Sequence, residues 1–379
     1  MKPSAIKGFD LQADLYRLWQ DVIPEGFDIS TLNSRPVEFF KKYGYRISAL
    51  SSELYGRYNG CFSEKYVSPS LYYFYIVPYL TRMDFIFAYD DKCIYSKLWP
   101  NMRQPKAILK NMAGLYYIED AKSFSGERVI TESEAIEYLK CKSLGVIKPS
   151  LASGGDGISL LHFDEMTKEE IQSTLRLYSS NFIVQEVVRN HESLKRLNDS
   201  SLNTCRIFTY RRVGTGEYVF LGSVVRFGGK GSFRDNASSG GGFCKVDENG
   251  QIGDAIFHYK NFNKGSLRKE KGIENLVIPM FKEMIECCFT LHQGLPYNDL
   301  IGWDMTLDEN GEIVLVEYNY AADAELIQIS SGPLFGDYTD EIMERIMHPT
   351  SEELLMVKRS FEEYPEKVYN IDLKKVGSL

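Results

Sequence analysis

The sequence predicts a mixed α/β (α+β) protein with a mainly helical N-terminal region. Three observations carry this. From about residue 86, short apolar strand patterns alternate with helical stretches. From about residue 186, strand patterns separated by glycine-rich turns dominate, interrupted by one long helical pattern. The 379 residues are enough for two or three domains or one large α/β unit.

The elements follow in chain order. "DLQADLYRLWQDVI", residues 10–23, has apolar positions at helical spacing. "LYYFYIVPYL", residues 71–80, is the longest apolar run; it is about half the length that spans a bilayer and Pro78 interrupts it, so it reads as a buried element or an interaction face. "ESEAIEYLKC" reads as a helix with Thr131 as N-cap ahead of Glu134. "GVIKP" and "FIVQEVV" read as strands, as do "TCRIFTYRRV", "YVFLGSVVRFGG" and "IVLVEYN". "IENLVIPMFKEMIECCFTLHQ", residues 273–293, reads as one long helix, and the charged tail is expected to end in a helix around "SEELLMVKRSFEEY". The expected divisions are 1–85, 86–185, 186–335 and 336–379.

Composition narrows the function classes. Apolar residues make up 44% and charged residues 25%, as in an ordinary globular protein. A net charge of −8 argues against a nucleic-acid coat or a binder of anionic membranes, while leaving room for a local basic pocket. The N-terminal "MKPSAIKGFDLQADLYRLWQ" lacks an apolar core segment, so no secretory signal and no transmembrane segment are expected. Seven scattered cysteines without a CxxC pair point to reduced thiols and a cytoplasmic setting. Cys205, Cys244, Cys287 and Cys288 are expected in the core.

The tetrapeptide "DENG" occurs at 247–250 and 308–311, which a shared turn chemistry explains. The second copy sits in "IGWDMTLDENGEIVLVEYN", residues 301–319, and Asn-Gly between two apolar runs is a strong hairpin signal. With Asn310-Gly311 as a two-residue turn, Asp304 lies opposite Glu317, and Asn319 shares the face of Glu317. A longer loop would shift this register. Like charges so placed repel, and oxygen ligands from two carboxylates and an amide suit a hard divalent ion, Mg²⁺ before Ca²⁺. Upstream, Lys148 ends a strand and glycines follow at 154, 155 and 157. Such a loop can cradle phosphate oxygens with its N–H groups while the ammonium supplies charge. The order is not that of a P-loop. In "FIVQEVV" the backbone beside Gln185 and Glu186 can face an adenine.

This order resembles the ATP-grasp superfamily, and most closely the sugar-transfer-associated ATP-grasp family linked to polysaccharide assembly. The resemblance spans roughly residues 85–335. It rests on "DDK" at 90–92, "VIKPSLASGGDG" at 146–157, "QEVV" at 185–188, "HESLKRLNDSSLNTCRIFTYR" at 191–211 and "DNASSGGGFCKVDENGQIG" at 235–253. "GWDMTLDENGEIVLVEYN" at 302–319 and "ELIQISSGPLFG" at 325–336 complete it. It implies two α+β lobes clasping ATP. Lys92 and Lys148 would be the nucleotide lysines, with Ser153, Gly154, Gly155 and Gly157 folding over the phosphates. Gln185, Glu186 and Val188 would meet adenine, the last two mostly through backbone. Asp304, Glu317 and Asn319 would hold one or two Mg²⁺ ions, and Arg206 would reach the γ-phosphate or an acyl-phosphate. The implied activity is an ATP-dependent carboxylate–amine ligase acting on small-molecule or glycan-linked acids and amines, with no nucleic-acid partner. A kinase on the same scaffold and a non-catalytic nucleotide-binding partner of a glycosyltransferase system are the alternatives. Residues 1–85 match no motif and are a candidate substrate-side region. His191 reads as helix-capping rather than catalytic. Arg226, Lys230 and Arg234 flank a glycine-rich loop that either closes on substrate or is an ordinary exposed loop.

Overall fold

A computed structural model describes residues 29–45, 47, 49–82, 85–86, 89–151, 157–229, 231, 241–258 and 264–351. The helices expected at 10–23 and around 351–364, the loop residues Ser153, Gly154 and Gly155, and Lys230 and Arg234 lie outside these residues.

Strands and helices mix throughout, in two antiparallel sheets. The strands of the first are β1 (Ala107–Met112), β2 (Leu115–Glu119), β3 (Glu127–Ile130), β4 (Leu144–Pro149), β5 (Ser159–His162) and β6 (Phe182–Gln185), in the order β3-β2-β1-β6-β4-β5. Helices Glu132–Lys140 and Lys168–Tyr178 cover one face. Both open on a capping box: Thr131 with Glu134, and Thr167 with Glu170. Each satisfies two otherwise unpaired N–H groups, and such a cap is worth about 1 kcal/mol. Leu109, Ile147, Phe182 and Val184 point into this core. By alternation, Lys110, Lys148 and Ile183 take the other face.

The second sheet comprises β7 (Thr204–Arg211), β8 (Tyr218–Phe227), β9 (Gly242–Val246), β10 (Ala255–His258), β11 (Lys264–Ser266), β12 (Leu300–Leu307) and β13 (Ile313–Asn319). Its order is β11-β10-β9-β8-β7-β12-β13. Cys205, Ile207, Trp303, Met305 and Tyr318 pack on helix Phe281–Gln293 on one face. Phe208, Tyr210 and Val224 pack on the other, against Phe40, Tyr55, Tyr66 and Tyr72 of the N-terminal helices and Ile342, Met343 and Ile346 of helix Thr339–Met347. Complete burial of each large apolar side chain contributes roughly 1.5–3 kcal/mol.

Two expected elements take different forms. The helical pattern from 273 starts only at Phe281. Pro279 has no N–H to give and disfavours helix at Ile278, and Met280 turns back at φ +54°. Ile278 instead donates to Gly250 O, and Ile252 to Leu276 O. The apolar run 71–80 is buried, as read, within one helical stretch from Pro69 to Leu80 whose middle, Tyr72–Ile76, is a π-helix. A π-turn just before Pro78 accommodates the missing donor.

Both "DENG" tetrapeptides form the same turn. Asp308 Oδ1 accepts from Asn310 N and Glu312 N, Gly311 N donates to Asp308 O, and Gly311 sits at φ +80°. Asp247 Oδ1 accepts from Asn249 N and Gln251 N, Gly250 N donates to Asp247 O, and Gly250 sits at φ +82°.

A short segment, Arg103–Lys106, bonds to both sheets. Arg103 O accepts from Leu315 N of β13 at 2.9 Å. On the other side, Pro105 O accepts from Gln185 Nε2 at 3.0 Å and Lys106 O from Glu186 N at 2.9 Å. The Arg103 guanidinium lies 2.6 Å from Glu186 Oε1, with Asp308 and Glu312 of the hairpin tip at 4.0 and 3.8 Å.

Candidate active site

The two carboxylates of the hairpin face each other. Asp304 on β12 pairs with Glu317 on β13, and Gly302 pairs with Asn319. The route to this register differs from the expected one. The loop is not a two-residue turn: near the tip Leu307 pairs with Ile313 and Met305 with Leu315. A bulge between Asp304 and Met305 then restores the pairing of Asp304 with Glu317. The bulge inserts one residue, Val316, into β13, and it returns Glu317 to the face of Asp304.

The expected repulsion between the carboxylates is met by protein cations. Arg206 is directly opposite Asp304 on β7. Its Nε and Nη2 form a fork on the two carboxylate oxygens, the latter at 2.9 Å from Oδ2. Arg226, on β8 opposite Thr204, donates Nη2 to Asp304 Oδ2 at 2.9 Å and to Thr204 Oγ1 at 2.8 Å. Burial alone would raise the Asp304 carboxyl, but the two guanidinia outweigh it and hold it below the usual range. Glu317 is held by Lys92 Nζ at 2.8 Å, and Lys92 is 6% exposed. Burial would lower Lys92, and Glu317 outweighs it, so this lysine is raised.

Lys148 completes the group from the other sheet. It is 9% exposed, and its ammonium makes no hydrogen bond or ion pair among the described residues. Burial and then the charge of Lys92 lower it to about 8, while Glu317 and Asp304 pull the other way. Its electrostatic neighbours therefore include both hairpin carboxylates. Lys92 is tied to the same strand end: its N–H donates to Ser150 O at 3.1 Å.

The remaining expected residues lie along β6 and the glycine loop. Gln185 and Glu186 close β6, and their side chains are spent on Pro105 O, Arg103 and the Lys106 N–H. Val188 follows outside any strand or helix, with no hydrogen bond among the described residues. Gly157 sits at φ +71°, where a Cβ would lie 2.9 Å from Pro149 Cγ. Its carbonyl accepts from Tyr178 OH at 2.6 Å. Asn319 Nδ2 points at Asp304 Oδ2 at 3.4 Å.

Lys92, Lys148, Arg206, Asp304, Glu317 and Asn319 are thus brought together. His191 caps helix Glu192–Lys195, its Nδ1 accepting from Ser193 N at 3.2 Å. Cys205, Cys244 and Cys288 are buried, as expected, and Cys287 is half-buried beside Met102. Sequence reasoning set Arg226 beside a loop and did not see it on Asp304. The available signal was the strand pattern: Arg226 alternates with buried Val225 and Phe227 in β8. It also missed Asp323, whose carboxyl lies within electrostatic reach of Arg206 and Arg226.

The donor set was tested against a divalent ion. Asp304, Glu317 and Asn319 present hard oxygen donors on one sheet face, which suits Mg²⁺ in type. Among the described residues no group of three or more His, Cys, Asp or Glu side chains converges, so the third protein ligand would be the Asn319 amide. Asp304 gives both oxygens to arginines here, and oxyanions carried in with such an ion are the natural partners for those arginines.

Comparison with known proteins adds the following. A family model described as sugar-transfer associated ATP-grasp matches residues 75–342. No curated protein matches the chain by sequence. Among solved structures, the ATP-grasp ligase PsnB complexed with minimal precursor is 10% identical at a TM-score of 0.40, covering 68% of this chain and 62% of that chain. The D-cycloserine synthetase DcsG is 12% identical at 0.42, covering 70% and 73%. The VanG D-Ala:D-Ser ligase from Enterococcus faecalis is 17% identical at 0.39, covering 68% and 60%. This chain therefore spans less than two thirds of PsnB and of VanG. Among the described residues no helix is long and apolar enough to cross a membrane.

Proposed function

The chain belongs to the sugar-transfer-associated ATP-grasp family, and from that premise we propose that it is an ATP-dependent ligase joining a carboxylate to an amine through an acyl-phosphate. The observation that supports this best is the cation set around the hairpin. Arg206 and Arg226 of the second sheet and Lys92 hold Asp304 and Glu317, and Lys148 of the first sheet joins them electrostatically, its ammonium making no hydrogen bond or ion pair among the described residues. Such a set fits a polyphosphate and the charge that moves during its transfer.

In this reading the adenine lies against the β6 end, where the Val188 N–H makes no hydrogen bond among the described residues and Glu186 offers its carbonyl. The phosphates lie under the glycine loop with Lys148 and Lys92 on them. Asp304, Glu317 and Asn319 would hold one or two Mg²⁺ ions, which supply charge neutralisation on the phosphates when bound. The acid's carboxylate oxygen attacks the γ-phosphorus in line, the bond to the β-phosphate oxygen breaks, and ADP leaves. Arg206 and Arg226 turn from Asp304 to the transferred phosphoryl group; their planar forks bind phosphate bidentately and stay charged. The acid and amine are small molecules or glycan-linked groups, such as a sugar acid or amino acid destined for a surface polysaccharide.

Hydroxylamine tests this. A panel of carboxylic acids is incubated with enzyme, ATP and Mg²⁺, and hydroxamate is read colorimetrically. One acid is expected to give hydroxamate, ADP and phosphate, each component being required. Lys148→Ala and Arg206→Ala are expected to slow it by about 10²–10³-fold. A stable phosphoester on a hydroxyl, with ADP and no free phosphate, would overturn the ligase in favour of a kinase.

A further inference from the structure

Just beyond Asn319 the chain places a second carboxyl beside the arginines. Gly302, two residues from Asp304, is covered by Ala322: a Cβ at Gly302 would lie 2.3 Å from Ala322 Cβ and 3.1 Å from Arg206 Cδ. Tyr72, from the N-terminal helices, fixes this turn by donating its hydroxyl to Ala322 O at 2.8 Å. Asp323 comes next. Its Oδ1 accepts from Glu325 N at 2.9 Å, and no cation lies within ion-pair distance among the described residues. Arg206 and Arg226 act on it electrostatically but are spent on Asp304. Burial raises the carboxyl, against the Glu325 N–H and the arginines.

Three tyrosines, Tyr72, Tyr73 and Tyr55, lie within its electrostatic reach. Tyr72 and Tyr73 meet edge to face with centroids 5.0 Å apart. Tyr55 is fully buried, and among the described residues its hydroxyl makes no hydrogen bond within normal distance. The neighbouring Gln328 uses its amide on both backbone groups of Val67. Among the described residues two polar groups, the half-buried Asp323 carboxyl and the buried Tyr55 hydroxyl, thus stand without a full set of partners near the arginines. A partly desolvated carboxylate with no ion pair calls for a cation.

We propose that Asp323 anchors the acceptor as a primary ammonium and takes its first proton, so that the acceptor site lies between Asp323, the Tyr72–Tyr73 pair and the two arginines. This rests on the ligase reading, and it assigns the N-terminal helices to the acceptor. The ammonium gives one proton to the Asp323 carboxylate. The freed nitrogen lone pair forms the C–N bond at the acyl carbon. The C–O bond to phosphate then breaks, phosphate leaves with that electron pair against Arg206 and Arg226, and the second nitrogen proton goes to the departing phosphate.

The test has two arms. In the first, enzyme loaded with Mg²⁺ and a non-hydrolysable ATP analogue is probed with ethylammonium by saturation-transfer NMR, with ethanol as the uncharged isostere. Ethylammonium is expected to bind and ethanol not; Asp323→Asn, which keeps an oxygen for Glu325 N, weakens ethylammonium at least about tenfold. Asp323→Ser repeats the comparison, with near-UV circular dichroism to show that both variants are folded. No ethylammonium signal in the wild type, or equal signals in wild type and variants, overturns the proposal. In the second arm, the acid that yields a hydroxamate is given ethylamine or hydroxylamine. Hydroxylamine is uncharged near neutral pH and needs no base, so Asp323→Asn is expected to slow the ethylamide about 100-fold and the hydroxamate far less. Equal slowing of both overturns the proton-accepting role. If no acid gives a hydroxamate while ethylammonium still depends on Asp323, the ligase falls and the ammonium site stands. If the hydroxamate forms and Asp323→Asn changes neither arm, the ligase stands and the site falls.

Discussion

Asp304 and Glu317 lie directly across from each other on adjacent strands, yet each is neutralised by a different cation: Asp304 by Arg206 and Arg226, Glu317 by Lys92. Two like charges in register would by themselves oppose folding. Here they organise three basic side chains instead, and this sets what substitutions will do.

Replacing Asp304 by Asn is expected to destabilise the nucleotide-free protein, because it leaves two guanidinia facing each other on a buried sheet face. Breaking a buried pair by removing one partner costs about 3–5 kcal/mol. Urea unfolding of the variant measures this. A gain in stability would mean that repulsion from Glu317 outweighs both arginines.

If Lys148 meets the phosphates as proposed, nucleotide binding is expected to depend on pH. Its pKa is lowered to about 8, so the free protein holds fewer protons than the unfolded chain between about 8 and the ordinary 10.5. Across that window its contribution to stability rises with pH. A triphosphate laid on the ammonium pulls the pKa back up, so ATP binding near pH 8 is expected to take up a proton. Calorimetry in phosphate and Tris buffers should give different apparent enthalpies, and Lys148→Met should remove the difference. Buffer-independent heats in the wild type would exclude Lys148 from the phosphates.

Gly302→Ala is expected to lower turnover more than stability. The added methyl meets Ala322 Cβ and Arg206 Cδ, and overpacking of this kind costs typically about 1–3 kcal/mol. The displaced group, Arg206, is the one proposed to meet phosphate. Ala322→Gly in the same chain should restore much of the rate; steady-state kinetics of the single and double variants decides.

Local signals in the sequence were enough for most of the elements and for the residues gathered around the hairpin, but not for Arg226 or Asp323. Thr131 with Glu134 announced a helix start, and Asp-Glu-Asn-Gly announced two turns, because in each case residues within a few positions make the bonds. Asp304 opposite Glu317 was reached through a two-residue turn that does not exist, and the bulge at Val316 compensated for the error. Bulges leave little local trace. Arg226 was out of reach for the same reason: its place beside Asp304 depends on the β7–β8 register, which shifts between Phe208 and Thr209. Asp323 depends on a fold-back that puts Ala322 on Gly302, a contact no periodicity encodes.

The segment Arg103–Lys106, held by β13 on one side and by the end of β6 on the other, is placed to serve as a fulcrum. A rotation of one sheet against the other about this line would move Gln185 and Glu186 least, because they are bonded to the segment itself. The base end of a nucleotide held there, as proposed, would be gripped before and after such a rotation. Shortening the Arg103 side chain would loosen the axle rather than the jaws.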